Sequence, residues 1–210
     1  MLEAITRDAC NVDVDDDGLR FDAATVAGVR IKFVGYLEKA RIPMQIDVGF
    51  GDVVHPGAEE HDYPTILDFP VPRLQMYPKE TVVAEKFEAM VYLGTLNSRF
   101  KDFFDIWLLS RRFDFDGVDL AVAIKKTFEH RSTELSTNPV ALTPAFTATE
   151  NTQKQWTAFI KRSSLDDAPA TFDEIREPRR QFLLPIVTAL VDGDEFSARW
   201  SAPGPWLAET

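Results

Sequence analysis

A chain of 210 residues with 45% hydrophobic side chains can bury one good core or two small ones. Its net charge of -11 argues against broad, nonspecific attraction to nucleic acid. One cysteine, Cys10, excludes an intrachain disulfide and suits a reducing cytoplasm, and the scattered His55, His61 and His130 do not form a zinc pattern.

Met1 to Thr6 begins in a helical pattern with no capping residue before it. Glu3, Arg7 and Asp8 interrupt the apolar region a signal peptide would need, and no later run is long enough to span a membrane. Val12 to Gly18 reads VDVDDDG. Asp13 and Asp15 alternate as carboxylates on a metal-binding strand would, but Asp-Asp-Gly favours a turn, with Gly18 free to adopt positive φ. Short strands are expected at Leu19 to Phe21, Val29 to Val34, Met44 to Phe50 and Leu74 to Met76. The middle two alternate and suit each other as partners. Period two sends Asp47 to the face opposite Ile46 and Val48.

His55 to Asp68 reads as a polar loop containing Pro and Gly. From Lys79 the pattern turns helical, with helices expected near 79–94, 98–112, 117–131, 151–162 and 171–191. Pro178 and Pro185 are expected to kink or break the last. Ser132 to Thr149 reads as an irregular connection, and the tail from Ser201 as loose unless Trp206 docks. The fold class is α+β, with a sheet region over 1–76 and a helical subdomain over 77–210.

Tyr77 to Ile106 carries the chemistry. Val82, Val83, Phe87, Met90 and Val91 recur at helical spacing, and Lys86 shares the face of Val82 and Met90. Glu85 and Glu88 point elsewhere and read as solvated. Gly94 and Asn97 stop this helix, and Ser98 suits the cap of a second one carrying Phe100, Phe103, Phe104 and Trp107. Asp102 stacks over Ile106 and Leu109 there, with Asp105 one turn on beside Lys101. The short connection makes the two helices antiparallel neighbours. An inward lysine and aspartate have two readings. One is a structural ion pair locking the helices together. The other is a catalytic site, with the lysine gripping a phosphate as a point charge and the aspartate serving as base or metal ligand.

The run ETVVAEKFEAM followed by NSRFKDFFDIW resembles the paired late motifs of the AbiEii/AbiGii toxin family, an A-E-K-L/F helix and then R/K-D-x-x-D. The similarity extends upstream through Arg41 to Asp52, and weakly downstream through Phe115 to Gly117, Thr127-Phe128 and Trp156 to Phe159. It implies a nucleotidyltransferase-like toxin of a bacterial toxin–antitoxin pair, with a cognate antitoxin as partner. Lys86 and Asp102 match the family's catalytic positions. Lys86 would contact the triphosphate, Asp102 would act near the acceptor or orient Lys86, and Glu85 and Asp105 would support them. Gln45-Ile46-Asp47-Val48 has the form of the family's third-carboxylate strand, which makes Asp47 a metal ligand or general base. The implied reaction moves a nucleotidyl group from an NTP, with Mg²⁺, to an acceptor such as tRNA or another RNA.

The chain departs from the family pattern in one respect. No Gly-Gly or Gly-Ser loop precedes Asp47, and the only upstream alternating carboxylates are in VDVDDDG. The expectation is that the N-terminal part of the family core is missing and that this chain alone transfers little or nothing. The alternatives are a noncatalytic remnant or binding module of the same fold, and a helical interaction protein whose Lys86–Asp102 pair is only structural. Arg111-Arg112, Lys125-Lys126 with His130-Arg131, Lys161-Arg162, and Arg176 with Arg179-Arg180 read as solvated helix ends or faces. Together they could line a groove for an RNA end.

Overall fold

Strand-forming residues in the first quarter of the chain build an antiparallel meander. The computed structural model describes residues 10–14, 28–147, 149–165 and 167–208. Strands β1 (Cys10–Val14), β2 (Gly28–Leu37) and β3 (Ala40–Gly49) lie in the order β1-β2-β3. The expected pairing of the two longer strands is present, with Ile31 opposite Ile46 and Phe33 opposite Met44. Alternation therefore gathers Ile31, Phe33, Ile42, Met44 and Ile46 on one face. Arg30, Lys32, Arg41, Gln45 and Asp47 occupy the other. A two-residue turn joins β2 to β3, with Glu38 at a φ of 50°.

The turn expected over VDVDDDG is corrected for its first residues. Asp13 and Val14 belong to β1 and pair with Val34 and Phe33. Val12 and Val14 alternate as β-branched residues do in strands, and a partner about twenty residues away in sequence outweighs the local turn preference. Asp15 to Gly18, the strand expected at Leu19 to Phe21 and the helical start at Met1 to Thr6 lie outside the described residues.

Contacts divide the chain into one unit over Met1–Asp52 and another over Val53–Thr210. The second begins with a ribbon of β4 (Glu59–Asp62) and β5 (Arg73–Met76). β4 sits inside the segment read as a loop. Its sequence EEHD is exposed throughout and has no apolar face to betray it. Helices α1 (Lys79–Leu93), α2 (Phe100–Arg112), α3 (Gly117–His130), α4 (Pro144–Thr147), α5 (Glu150–Ser163) and α6 (Arg176–Asp192) follow. A small sheet, β6 (Phe115–Asp116), β7 (Ala198–Trp200) and β8 (Trp206–Ala208), closes the unit. The connection after Ser132 is less irregular than expected, since Val140–Leu142 forms a 3₁₀ turn and α4 follows it.

Local chemistry explains the helix ends. Asp116 caps α3 by accepting from the Val118 and Asp119 N–H groups, and Thr149 caps α5 by accepting from Thr152 N–H. Ser98 does not cap α2. The Asn97 side chain instead accepts from Arg99 N–H at 2.7 Å. Helix α6 runs unbroken through both prolines, against expectation. Pro178 lies in the first turn, where its missing N–H has no helical partner to lose. Pro185 and Gln181, whose carbonyl it leaves unbonded, are both exposed, so water can serve that carbonyl.

The buried core lies in this second unit and is aromatic. Phe103 stacks on Phe146 at 5.4 Å, and Phe172 meets Phe100, Phe103 and Trp156 at 5.1–5.3 Å. A second cluster fixes the tail. Trp206 stacks on Phe182 with rings 5.7 Å apart, and its indole N–H donates to the Phe182 carbonyl. The tail is therefore not loose. Gly117, at the start of α3, permits a close approach, because a Cβ there would collide with the Ala198 carbonyl and the Phe196 ring.

Arg179 corrects the reading of the basic clusters, being fully buried rather than solvated. Its guanidinium lies over the rings of Phe103 and Phe172, and Nε donates to the Ile175 carbonyl. Burial, with the neighbouring Arg176 charge, pulls its pKa down to about 9.

Candidate functional site

Lys86 and Asp102 face each other because α1 and α2 pack side by side across the short Gly94 to Arg99 connection. Lys86 Nζ lies 2.7 Å from Asp102 Oδ1 and 2.8 Å from Asp105 Oδ2. Lys101 reaches the same Asp105 oxygen at 2.6 Å from one turn earlier. The cluster therefore balances two cations with two carboxylates. Lys86, Asp102 and Asp105 keep between 16% and 20% of their side-chain surface, so the cluster is half-sealed rather than closed. Burial pushes the Lys86 pKa down. The hydrogen bonds and charges of Asp102 and Asp105 outweigh it, and the net shift is upward. Lys86 is thus a protonated point charge with one N–H beyond the two aimed at carboxylates.

The opposite side of α1 corrects the sequence reading of Glu85 and Glu88 as solvated. Glu88 is buried, accepting from Arg131 Nη1 at 2.8 Å and from Thr133 Oγ1 at 2.5 Å. Glu85 keeps 24% of its side-chain surface and lies 3.6 Å from Arg131 Nη2. Arg131 is more than forty positions away in sequence, so no local spacing could reveal it. It is spoken for by this cluster and is not part of a solvated basic face.

Asp47 stands on β3 in the first unit, on the polar face as expected. Arg30 Nε reaches its Oδ1 at 2.6 Å, and Arg30 Nη2 and Gln45 Nε2 reach Oδ2 at 3.3 and 2.9 Å. The Arg30 hydrogen bond leads in holding its pKa below the ordinary carboxylate value. Its oxygens already serve three donors. Among the described residues no three His, Cys, Asp or Glu side chains converge as a cation site.

Beside Asp102 opens a cleft of about 760 Å³ between the start of α2 and the far half of α5. Arg99, Lys101 and Arg162 line it with Gln155, Ser98 and Ser163. Arg162 is among the basic residues visible in the sequence. Arg99 and Gln155 carry no signal there, because only the packing of α5 against α2 assembles the cleft.

Among the described residues no helix is long and apolar enough to cross a membrane. Comparison with curated proteins and with solved structures finds no match. A family model described as nucleotidyl transferase AbiEii toxin, type IV TA system, matches residues 2–178. That span holds the α1–α2 ion cluster, the cleft beside it and the strand that carries Asp47. The chain belongs to the AbiEii family of nucleotidyl transferase toxins.

Proposed function

We propose that the chain carries the nucleotide-handling site of a toxin that transfers a nucleotidyl group to an RNA acceptor in the cytoplasm, under the control of a cognate antitoxin. In the reaction an acceptor hydroxyl attacks the α-phosphorus of an NTP. The bond from that phosphorus to the bridging oxygen breaks, pyrophosphate leaves, and the hydroxyl proton passes to a base. The observation that supports this reading is Lys86. It is held protonated by two carboxylates, half-open to solvent, with one N–H beyond those aimed at the carboxylates, inside the family-matched segment. Such a group suits a triphosphate oxygen. Asp102 orients it and faces the acceptor. Asp105 and Glu85 support α1 and α2 around it.

The family's divalent ion, Mg²⁺ by resemblance, supplies charge neutralisation when bound. Asp47 would serve as its ligand or as the base, in competition with the Arg30 guanidinium that now holds both its oxygens. Asp13 on β1 is another strand carboxylate of the same sheet, and with no cluster of three such side chains among the described residues we expect slow transfer from this chain. The same Arg30 clamp favours a second reading, a nucleotide-binding module of the same fold that does no chemistry.

The test combines photo-crosslinking of labelled NTPs with transfer onto a tRNA pool in the presence of Mg²⁺. Crosslinking should occur and disappear in Lys86→Ala. Crosslinking that is unaffected by Lys86→Ala sinks the reading. Fast transfer that is lost in Asp13→Ala would overturn the expectation of slow chemistry and make β1 part of the site. Crosslinking without transfer under any condition would favour the binding module.

A further inference from the structure

Charge is unevenly placed at the cleft beside Asp102. The whole chain carries -11, yet three cations and one carboxylate line this cleft. The carboxylate, Asp102, is already matched by Lys86. Lys101 is matched by Asp105. Arg99 and Arg162 are exposed, and neither forms an ion pair with a described residue. They come from different helices, one from the start of α2 and one from the end of α5, and meet only across this cleft. Two guanidinium forks without ion pairs line the cleft together with the hydroxyls of Ser98 and Ser163 and the amide of Gln155, a surface suited to phosphate oxygens. Each fork can take a phosphate in bidentate fashion, and the hydroxyls and amide can donate without adding charge.

We infer that this cleft binds the phosphodiester backbone of the acceptor strand, with Arg99 and Arg162 as its phosphate contacts and the strand's reactive end delivered to Asp102. The inference rests on the transfer reading above and adds the acceptor's seat to it. At about 760 Å³ the cleft has room for more than a single phosphate. Asp102 lines the cleft and Lys86 does not, so an acceptor lying there and a nucleotide on Lys86 would meet at Asp102. A single strand suits it better than a duplex, because a flexible backbone can follow a cleft whose walls are two helices.

The test measures binding apart from chemistry. A fluorescein-labelled single-stranded RNA of about 12 nucleotides is titrated with the full chain and followed by anisotropy between ~50 and ~200 mM salt. A fluorescent NTP analogue is titrated in parallel. Arg99→Ala/Arg162→Ala should weaken RNA binding about tenfold or more and flatten the logarithmic salt slope by ~1.4, the contribution of two phosphates on a single strand. NTP binding should stay unchanged. Lys39→Ala/Arg41→Ala at the β2–β3 turn removes the same charge from exposed positions elsewhere and should leave RNA binding close to that of the unaltered chain.

Unchanged RNA affinity in Arg99→Ala/Arg162→Ala overturns the inference, as does an equal loss in Lys39→Ala/Arg41→Ala, which would mean diffuse attraction. Loss of NTP binding with RNA binding intact also overturns it, and would assign the cleft to the triphosphate. No measurable RNA binding by the unaltered chain overturns it as well. Thermal melts confirm that the variants fold, and Arg99→Glu/Arg162→Glu gives a second, stronger charge change at the same exposed positions. Lys86→Ala tests the nucleotide site through NTP crosslinking, so failure there and failure here are read on different ligands.

Discussion

Helix α1 carries two ion clusters on opposite sides, and they are built differently. On one side Glu88 is 5% exposed and bound by Arg131 and Thr133. On the other, Lys86 is 20% exposed and shared by Asp102 and Asp105. The sealed cluster has every strong partner inside the protein, so it acts as a clasp between α1 and the end of α3. The open cluster keeps a donor in reach of solvent and stands beside a cationic cleft. Distance alone does not separate the two, since both hold contacts near 2.8 Å. Residual exposure and redundancy of partners do.

The largest effect should come from breaking the sealed side. Arg131→Ala leaves the buried Glu88 carboxylate with the neutral Thr133 hydroxyl but no counter-charge and should cost about 3 kcal/mol, read by urea unfolding. A loss below ~1 kcal/mol would mean that the carboxylate finds water and that the sealed side is no clasp. The open side should give a smaller loss, because its partners are redundant. Asp102→Ala leaves Lys86 with Asp105 and should cost about 1 kcal/mol. A cost near that of Arg131→Ala would erase the distinction between the two clusters.

Lys86 adds a pH signature to the open side. Its pKa is raised in the folded chain above the ordinary 10.5. The stability it contributes is therefore fully present below 10.5 and is lost as pH rises through the folded value. Unfolding curves from pH 8 upward should show that loss in the unaltered chain and not in Lys86→Met. Parallel curves for both would mean that Lys86 is not coupled to the carboxylates.

The smallest effect belongs to the exposed pair on the strands. Arg30→Ala should let the Asp47 pKa return toward its ordinary value, because the Arg30 hydrogen bond is the first cause of its depression. The melting temperature should scarcely move, since the pair is solvent-exposed. Carboxyl NMR titration reads the first and a thermal melt the second. An unmoved Asp47 titration would mean that Arg30 is not its clamp.

Much of the helical unit was legible in the sequence. The α1 and α2 spacing, the Gly94 to Ser98 break and the inward Lys86 and Asp102 follow from 3.6-residue periodicity, which operates within a few turns of chain. The β2–β3 pairing followed from period two in the same way. The errors fall where a distant partner overrides a local preference. Asp13 and Val14 enter a strand because β2 lies beside them. Trp206 is held by Phe182, and Glu88 by a residue beyond the end of α3. Arg179 looks like a surface cation until α6 lays it over two phenylalanine rings.

The sequence by itself therefore determined which residues share a helix face, which strands can pair, and the family motif that holds Lys86 and Asp102. Tertiary structure alone decided that Glu88 is sealed rather than solvated, that Arg131 is its partner, and that Arg99 and Arg162 line one cleft. The physical reason is the range of the forces involved. Backbone hydrogen bonding and side-chain periodicity act over a few residues and leave a pattern in the chain. Desolvation and charge pairing depend on neighbours brought together from many residues away, and they leave none.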